Sequence, residues 1–234
     1  NRYCYISGRF LPPYFDFKHR IVWSKIELTD TIDDIEHPAV REAIRYIKFD
    51  EGLEIHHNGD LPARAGLGSS SSFAVGILHT LHVMKGSLVP KKVLAREAIM
   101  LEQELLKENV GIQDQITSAV GGMNLIEIDK SGDFSLNPIP MDSYKKALFE
   151  SYLMLFYTGV SRFASEVAKA QIESIPDKQE TLHEMQKMVW EAAEILMNGR
   201  DISDFGRLLH ENWLLKRSIT KSISSDLVDE IYDK

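Results

Sequence analysis

Two glycines followed by four serines, in Leu61-Pro-Ala-Arg-Ala-Gly-Leu-Gly-Ser-Ser-Ser-Ser72, are the residues best placed by type and spacing to do chemistry. Before them, residues 53–57 alternate like a strand and end at a turn signal, Asn58-Gly59-Asp60; after them, residues 71–85 are apolar at helical spacing. Small residues at such a junction let the backbone approach a ligand closely. Free N–H groups at the helix start then point at an anion, and the helix dipole favours a phosphate there. The serine hydroxyls add donors and can reach a magnesium ion. A flexible loop with an over-supplied N-cap would have a similar composition, but four serines leading straight into an apolar helix favour the phosphate reading. No lysine follows the glycine, so this is not a Walker A loop.

Glu102 and Asp114 stand twelve residues apart, with Asn109-Val-Gly111 interrupting the helical pattern between them. The first falls near the end of one helix and the second near the start of the next, so a hairpin can bring both carboxylates to one pocket. Hard oxygen ligands of this kind suit Mg²⁺, and a carboxylate beside a substrate hydroxyl suits phosphoryl transfer. Acids on helix faces are mostly solvated, which is the expectation for Glu104 and Glu108. Other features are blander. His56 and His57 are adjacent in a strand and point to opposite faces, and His79 and His82 lack a third ligand. Trp190, Trp213, Met185 and Met188 sit at core spacing, and Cys4 has no base partner.

The elements that must position these residues read as two α+β lobes. Residues 1–10 and 20–28 read as strands around the breakers Pro12 and Pro13. Helices are expected from Pro38 to about Phe49, then over 71–85, 91–107 and 112–119. Residues 123–129 alternate as a strand. A composition shift near residue 145 places the domain boundary between Leu136 and Tyr152, giving lobes 1–145 and 146–234. Tyr152-Leu-Met-Leu-Phe-Tyr157 reads as a strand buried on both faces, and the chain is almost wholly helical afterwards, over 161–175, 178–198, 202–216 and from Asp226 onward.

The 234 residues are 44% hydrophobic and 26% charged, enough for a core without staples; 35 acidic against 27 basic residues give a net charge of −8, unlike a nucleic-acid binder. A single cysteine forms no internal disulfide, and no apolar stretch approaches the roughly 20 residues that span a bilayer. A cytoplasmic protein with no membrane partner is expected. The first residue is not methionine and the last segment reads as an uncapped helix, so residues are expected to be missing at both ends.

Pro62-Ala-Arg-Ala-Gly-Leu-Gly-Ser-Ser-Ser71 resembles the P-x-x-x-G-L-G-S-S-A motif of the GHMP kinases, the superfamily of galactokinase, homoserine kinase and mevalonate kinase, departing at Ser71 where alanine is usual. Glu102-Gln103 and Val110-Gly-Ile-Gln-Asp-Gln115 resemble the segments that carry a magnesium-binding glutamate and a catalytic aspartate in its sugar kinases. The resemblance implies a two-lobed α+β fold, with a ribosomal protein S5 domain 2-like N-terminal lobe and a ferredoxin-like, helix-rich C-terminal lobe. It also implies ATP and Mg²⁺ as cofactors. The phosphates would lie on Ala65, Gly66, Leu67, Gly68, Ser69, Ser70, Ser71 and Ser72, the metal on Ser70 and Glu102, with Asp114 as catalytic base or orienting group.

Within the superfamily the chain looks similar to the D-glycero-D-manno-heptose 7-phosphate kinases, on stretches such as Ile35-Glu-His-Pro-Ala-Val-Arg41 and Leu208-Leu-His-Glu-Asn-Trp-Leu-Leu-Lys-Arg217. That implies transfer to the C1 hydroxyl of a sugar phosphate, whose dianion needs cations. Candidates are Arg162, Arg64, Lys216 and Arg217, each of which has a plain alternative as a surface cation. A homodimer is a further expectation. Competing readings are a GHMP kinase for a neutral sugar and a non-catalytic nucleotide- or sugar-binding module.

Overall fold

A computed structural model describes residues 3–61, 66–156, 158–159, 164–198 and 200–234. The chain forms two compact units: the described residues up to Gly121, with Ala164 and Ser165, make up the first, and the other described residues from Gly122 onward make up the second. The main division falls at the Gly121-Gly122 break and gives the following hairpin to the second unit.

In the first unit, β1 (Cys4–Phe10), β2 (His19–Val22), β3 (Ile26–Thr29) and β4 (Leu53–Gly59) form a sheet in the order β1-β4-β2-β3. β4 pairs antiparallel with β1 and parallel with β2, with Ser7 opposite His56 and Ile21 opposite Ile55. The alternation legible in residues 53–57 sends Leu53 and Ile55 into the core with Ile21. Residues 20–28, read as one strand, are two, because the chain turns at Trp23, whose N–H donates to the Lys25 carbonyl.

Against one face of the sheet lie α1 (Pro38–Ile47) and α2 (Ser69–Met84). Pro38 opens α1 at a position where its missing N–H costs nothing, and His37 accepts from the Val40 N–H. α2 is apolar nearly all round, so it is a central helix that buries Phe73, Val75, Ile77, Leu78 and Leu81, each worth roughly 1.5–3 kcal/mol when removed from water. It starts two residues earlier than its apolar pattern suggests, with Gly68 as N-cap. Glycines let it lie close to β1: a Cβ on Gly76 would sit 2.8 Å from Ile6 Cγ1.

The expected helix over 91–107 is α3 (Lys91–Met100) followed by a π-helical turn, Leu101–Leu105. After it, Lys107 takes a left-handed φ of 56° and α4 (Gln113–Val120) begins. His82 resolves the paired-histidine question, since its Nε2 bonds the Glu97 carboxylate at 2.7 Å.

In the second unit, β5 (Asn124–Ile128) and β6 (Phe134–Pro138) form a hairpin whose turn is held by Asp129 Oδ1 accepting from the Ser131 and Asp133 N–H groups. Then come α5 (Ser143–Ser151), α6 (Ala164–Ser174), α7 (Gln179–Met197), α8 (Ile202–Arg217) and α9 (Asp226–Tyr232). Asp142, Asp201 and Ser225 cap α5, α8 and α9 through their side-chain oxygens. Phe149, Leu196 and Ile202 form a small core with Phe205, Met123, Ile139 and Met141.

The apolar run beginning at Tyr152 is not the expected buried strand. Residues 153–156 lie outside regular structure and are exposed, Met154 at 80%. A strand requires a ladder partner, and among the described residues of this unit β5 and β6 pair only with each other. No helix among the described residues is long and apolar enough to cross a membrane.

Candidate active site

The glycine–serine segment is shaped by two backbone positions that L-side chains rarely adopt, Gly66 at φ 73° and Gly68 at φ 68°. The second turn of the chain delivers it directly into α2, so the serines form the helix's first turn instead of preceding it. No side chain caps that end, which leaves its first N–H groups available to an anion.

Glu102 is brought under this turn. It lies in the π-helical turn, is 1% exposed, and accepts hydrogen bonds from Ser70 Oγ at 2.6 Å on Oε1 and from Ser71 Oγ at 2.7 Å on Oε2. Gln115 Nε2 donates to the same Oε2 at 2.5 Å. Such an extra-residue turn inside a helix recurs at functional sites because it re-aims a side chain. The irregularity continues downstream, where the Glu108 N–H donates to the Glu102 carbonyl. Burial, and secondarily the Glu102 charge, pushes the Glu108 carboxyl above its usual range, so Glu108 is not the plainly solvated acid the sequence suggested.

Asp114 stands in the first turn of α4, exposed, directly over the glycine loop: a Cβ added to Gly68 would be 3.1 Å from its Oδ2. One helical turn later, Ser118 Oγ lies 3.1 Å from Ser72 Oγ and ties α4 to the start of α2. The hairpin expected between Glu102 and Asp114 therefore exists, and both acids meet the same loop from different sides.

Of the expected site residues, Gly66 through Ser72, Glu102 and Asp114 come together. Ala65, Arg64 and Arg162 lie outside the described residues. Lys216 and Arg217 stand at the end of α8 in the second unit, where Lys216 is exposed and Arg217 is ion-paired with Asp229 at 3.0 Å. Sequence reasoning passed over Gln115, which is fully buried. Residue type gave no signal for it, since its polar neighbours Gln113 and Asp114 on the same helix are both exposed.

Residues 37–122 match the family described as GHMP kinases N terminal domain. A D-glycero-alpha-D-manno-heptose 7-phosphate kinase of Campylobacter jejuni is 24% identical over 182 residues, covering 77% of this chain and 53% of that protein. An L-fucokinase/L-fucose-1-P guanylyltransferase of Bacteroides fragilis is 26% identical over 194 residues, covering 79% of this chain and 20% of that protein. This chain thus spans about half the length of the first and a fifth of the second. Among solved structures, a D-glycero-D-manno-heptose 1-phosphate kinase from Bacteroides thetaiotaomicron superposes with a TM-score of 0.75 at 23% identity, over 93% of this chain and 68% of that one. Residues 37–122, which carry the glycine–serine loop, Glu102 and Asp114, match the GHMP kinase N-terminal domain, and the fold of the chain is that of the GHMP kinases.

Proposed function

We propose that this chain is an ATP-dependent sugar-phosphate kinase that phosphorylates the C1 hydroxyl of D-glycero-D-manno-heptose 7-phosphate, giving the 1,7-bisphosphate and ADP. The observation that carries the reading is the convergence of Glu102 and Asp114 on one glycine–serine loop at a helix N-terminus. Backbone N–H groups from Gly66 to Ser71 cradle the nucleotide phosphates, the Ser72 N–H already being given to the Gly68 carbonyl. Asp114 orients the acceptor hydroxyl and takes its proton as the oxygen attacks the γ-phosphorus and the bond to the β-phosphate oxygen breaks.

A magnesium ion fits the donor set. Glu102 has no cationic partner among the described residues, and its neighbours Ser70 and Ser71 are hard oxygen donors. Among the described residues no group of three or more His, Cys, Asp or Glu could hold a metal, as suits Mg²⁺, which takes one or two protein carboxylates plus substrate phosphates. Ser70 and Glu102 would hold it, and when bound it would offset charge on the transferring phosphoryl group.

For the 7-phosphate, the candidate cations are Arg64, Arg162, Lys216 and Arg217. The Arg217–Asp229 pair favours a second reading, because it already neutralises one of them, and the similarity to a fucokinase points the same way: a kinase for a neutral sugar. The test is ATP consumption with Mg²⁺ across heptose 7-phosphate, hexose 6-phosphates and free sugars, with the product's phosphate position read by NMR. Selective formation of a 1,7-bisphosphate supports the first reading. Turnover of free sugars alone replaces it with the second, and nucleotide binding without turnover of any sugar leaves a non-catalytic binding module.

A further inference from the structure

Gln115 is fully buried, yet it is not explained by packing. Its Nε2 donates to Glu102 Oε2, while its Oε1 is buried with no hydrogen-bond partner among the described residues. A buried carbonyl oxygen without a donor costs stability, and a Leu or Met would fill the same space without that cost. The amide cannot be turned round to relieve it, because Oε1 would then face a carboxylate oxygen. What the residue accomplishes is directional. With Ser71 it places two donors on Oε2 of Glu102, whereas Oε1 has a single partner, the exposed Ser70 hydroxyl.

We propose that Gln115 is a positioning residue for a divalent cation: by occupying Oε2 together with Ser71, it fixes the Glu102 carboxylate so that Oε1 and the Ser70 hydroxyl form the cation-facing pair. This rests on the reading of Glu102 as a metal ligand. One helix then sets both acidic groups of the site, since α4 presents Asp114 outward over Gly68 and, one residue later, Gln115 inward to Glu102. Partners behind a metal ligand commonly change metal affinity 10- to 100-fold when removed.

The test measures Mn²⁺ binding, by electron paramagnetic resonance, to the full chain in the presence of a non-hydrolysable ATP analogue, alongside metal-free nucleotide affinity and the thermal midpoint. Gln115→Met should weaken Mn²⁺ binding about 10-fold, leave metal-free nucleotide affinity within twofold and not lower the midpoint. Gln115→Leu, which likewise fills the space without a donor, should show the same loss. Should Gln115→Met keep wild-type Mn²⁺ affinity while Glu102→Gln loses it, the positioning role is wrong and the metal reading stands. If Glu102→Gln itself keeps full affinity, the metal reading fails and the positioning role with it. A lowered midpoint with unchanged Mn²⁺ affinity in both Gln115 variants would assign the residue to stability alone and overturn the proposal.

Discussion

Replacing Gly68 by alanine separates the loop's backbone requirement from its contact with Asp114. At φ 68° the added Cβ meets the strain of the left-handed region, roughly 1–2 kcal/mol for a residue with a side chain. It also arrives 3.1 Å from Asp114 Oδ2 and 3.2 Å from its Cγ, closer than ordinary van der Waals contact. Because Asp114 is exposed, its side chain can swing outward, so the contact is relieved by moving the acid and not by unfolding. The stability loss should therefore stay near the strain alone, about 1–2 kcal/mol, or roughly 2–8 °C in midpoint for a chain of this size. Turnover should fall about 10-fold, because relieving the contact moves Asp114 by a few tenths of an ångström, a part of the roughly 1 Å misplacement that costs about 100-fold.

Gly66→Ala supplies the control. Its φ is 73° but among the described residues nothing lies within 4 Å of the added Cβ, so it carries the strain without the contact. Both variants should lose similar stability, measured by thermal and denaturant unfolding, while Gly68→Ala loses more turnover. In an Asp114→Ala background, Gly68→Ala should cost at most about threefold further, since the group it displaces is gone. Wild-type turnover in Gly68→Ala, or the full 10-fold loss in both backgrounds, would refute the idea that Gly68 is glycine to make room for Asp114.

Asp114→Asn should fold as wild type, with an unchanged midpoint, and lose about 10²–10⁴ in kcat if Asp114 takes the acceptor proton; steady-state kinetics showing near-normal kcat would remove that role. Burial pushes His19, His37 and His57 below the ordinary 6.5, with the Lys18 charge adding to the effect at His19. The unfolded chain therefore binds more protons below that pH, so stability is complete above about 6.5 and is lost as pH falls toward the folded-state values. His19→Phe should flatten this dependence and raise the midpoint more at pH 5.5 than at 7.5, because both ring nitrogens are buried without a partner among the described residues. An unchanged pH slope would show that His19 does not contribute to it.

Much of the site could be read along the chain because its parts are local. The glycine–serine run, its position between a strand and an apolar helix, and the acids at Glu102 and Asp114 are features of short segments, and short-range periodicity expresses them directly. The helix starts, the β4 alternation and the β5–β6 turn follow from capping residues and turn chemistry for the same reason. What required tertiary structure was direction. A π-helical turn cannot be told from an α-helix by apolar spacing, yet it is there that Glu102 turns inward under Ser70 and Ser71. Gln115 looked like any polar helix residue until α4 packed beside Glu102. The run at 152–156 has strand chemistry but takes no strand form, because a strand is defined by a partner and residue types alone do not supply one. The chain by itself determined which groups are available for phosphoryl chemistry and their order. The tertiary structure decided which oxygen of Glu102 takes one donor and which takes two, since hydrogen-bond geometry belongs to groups brought together from positions 13 to 32 residues apart.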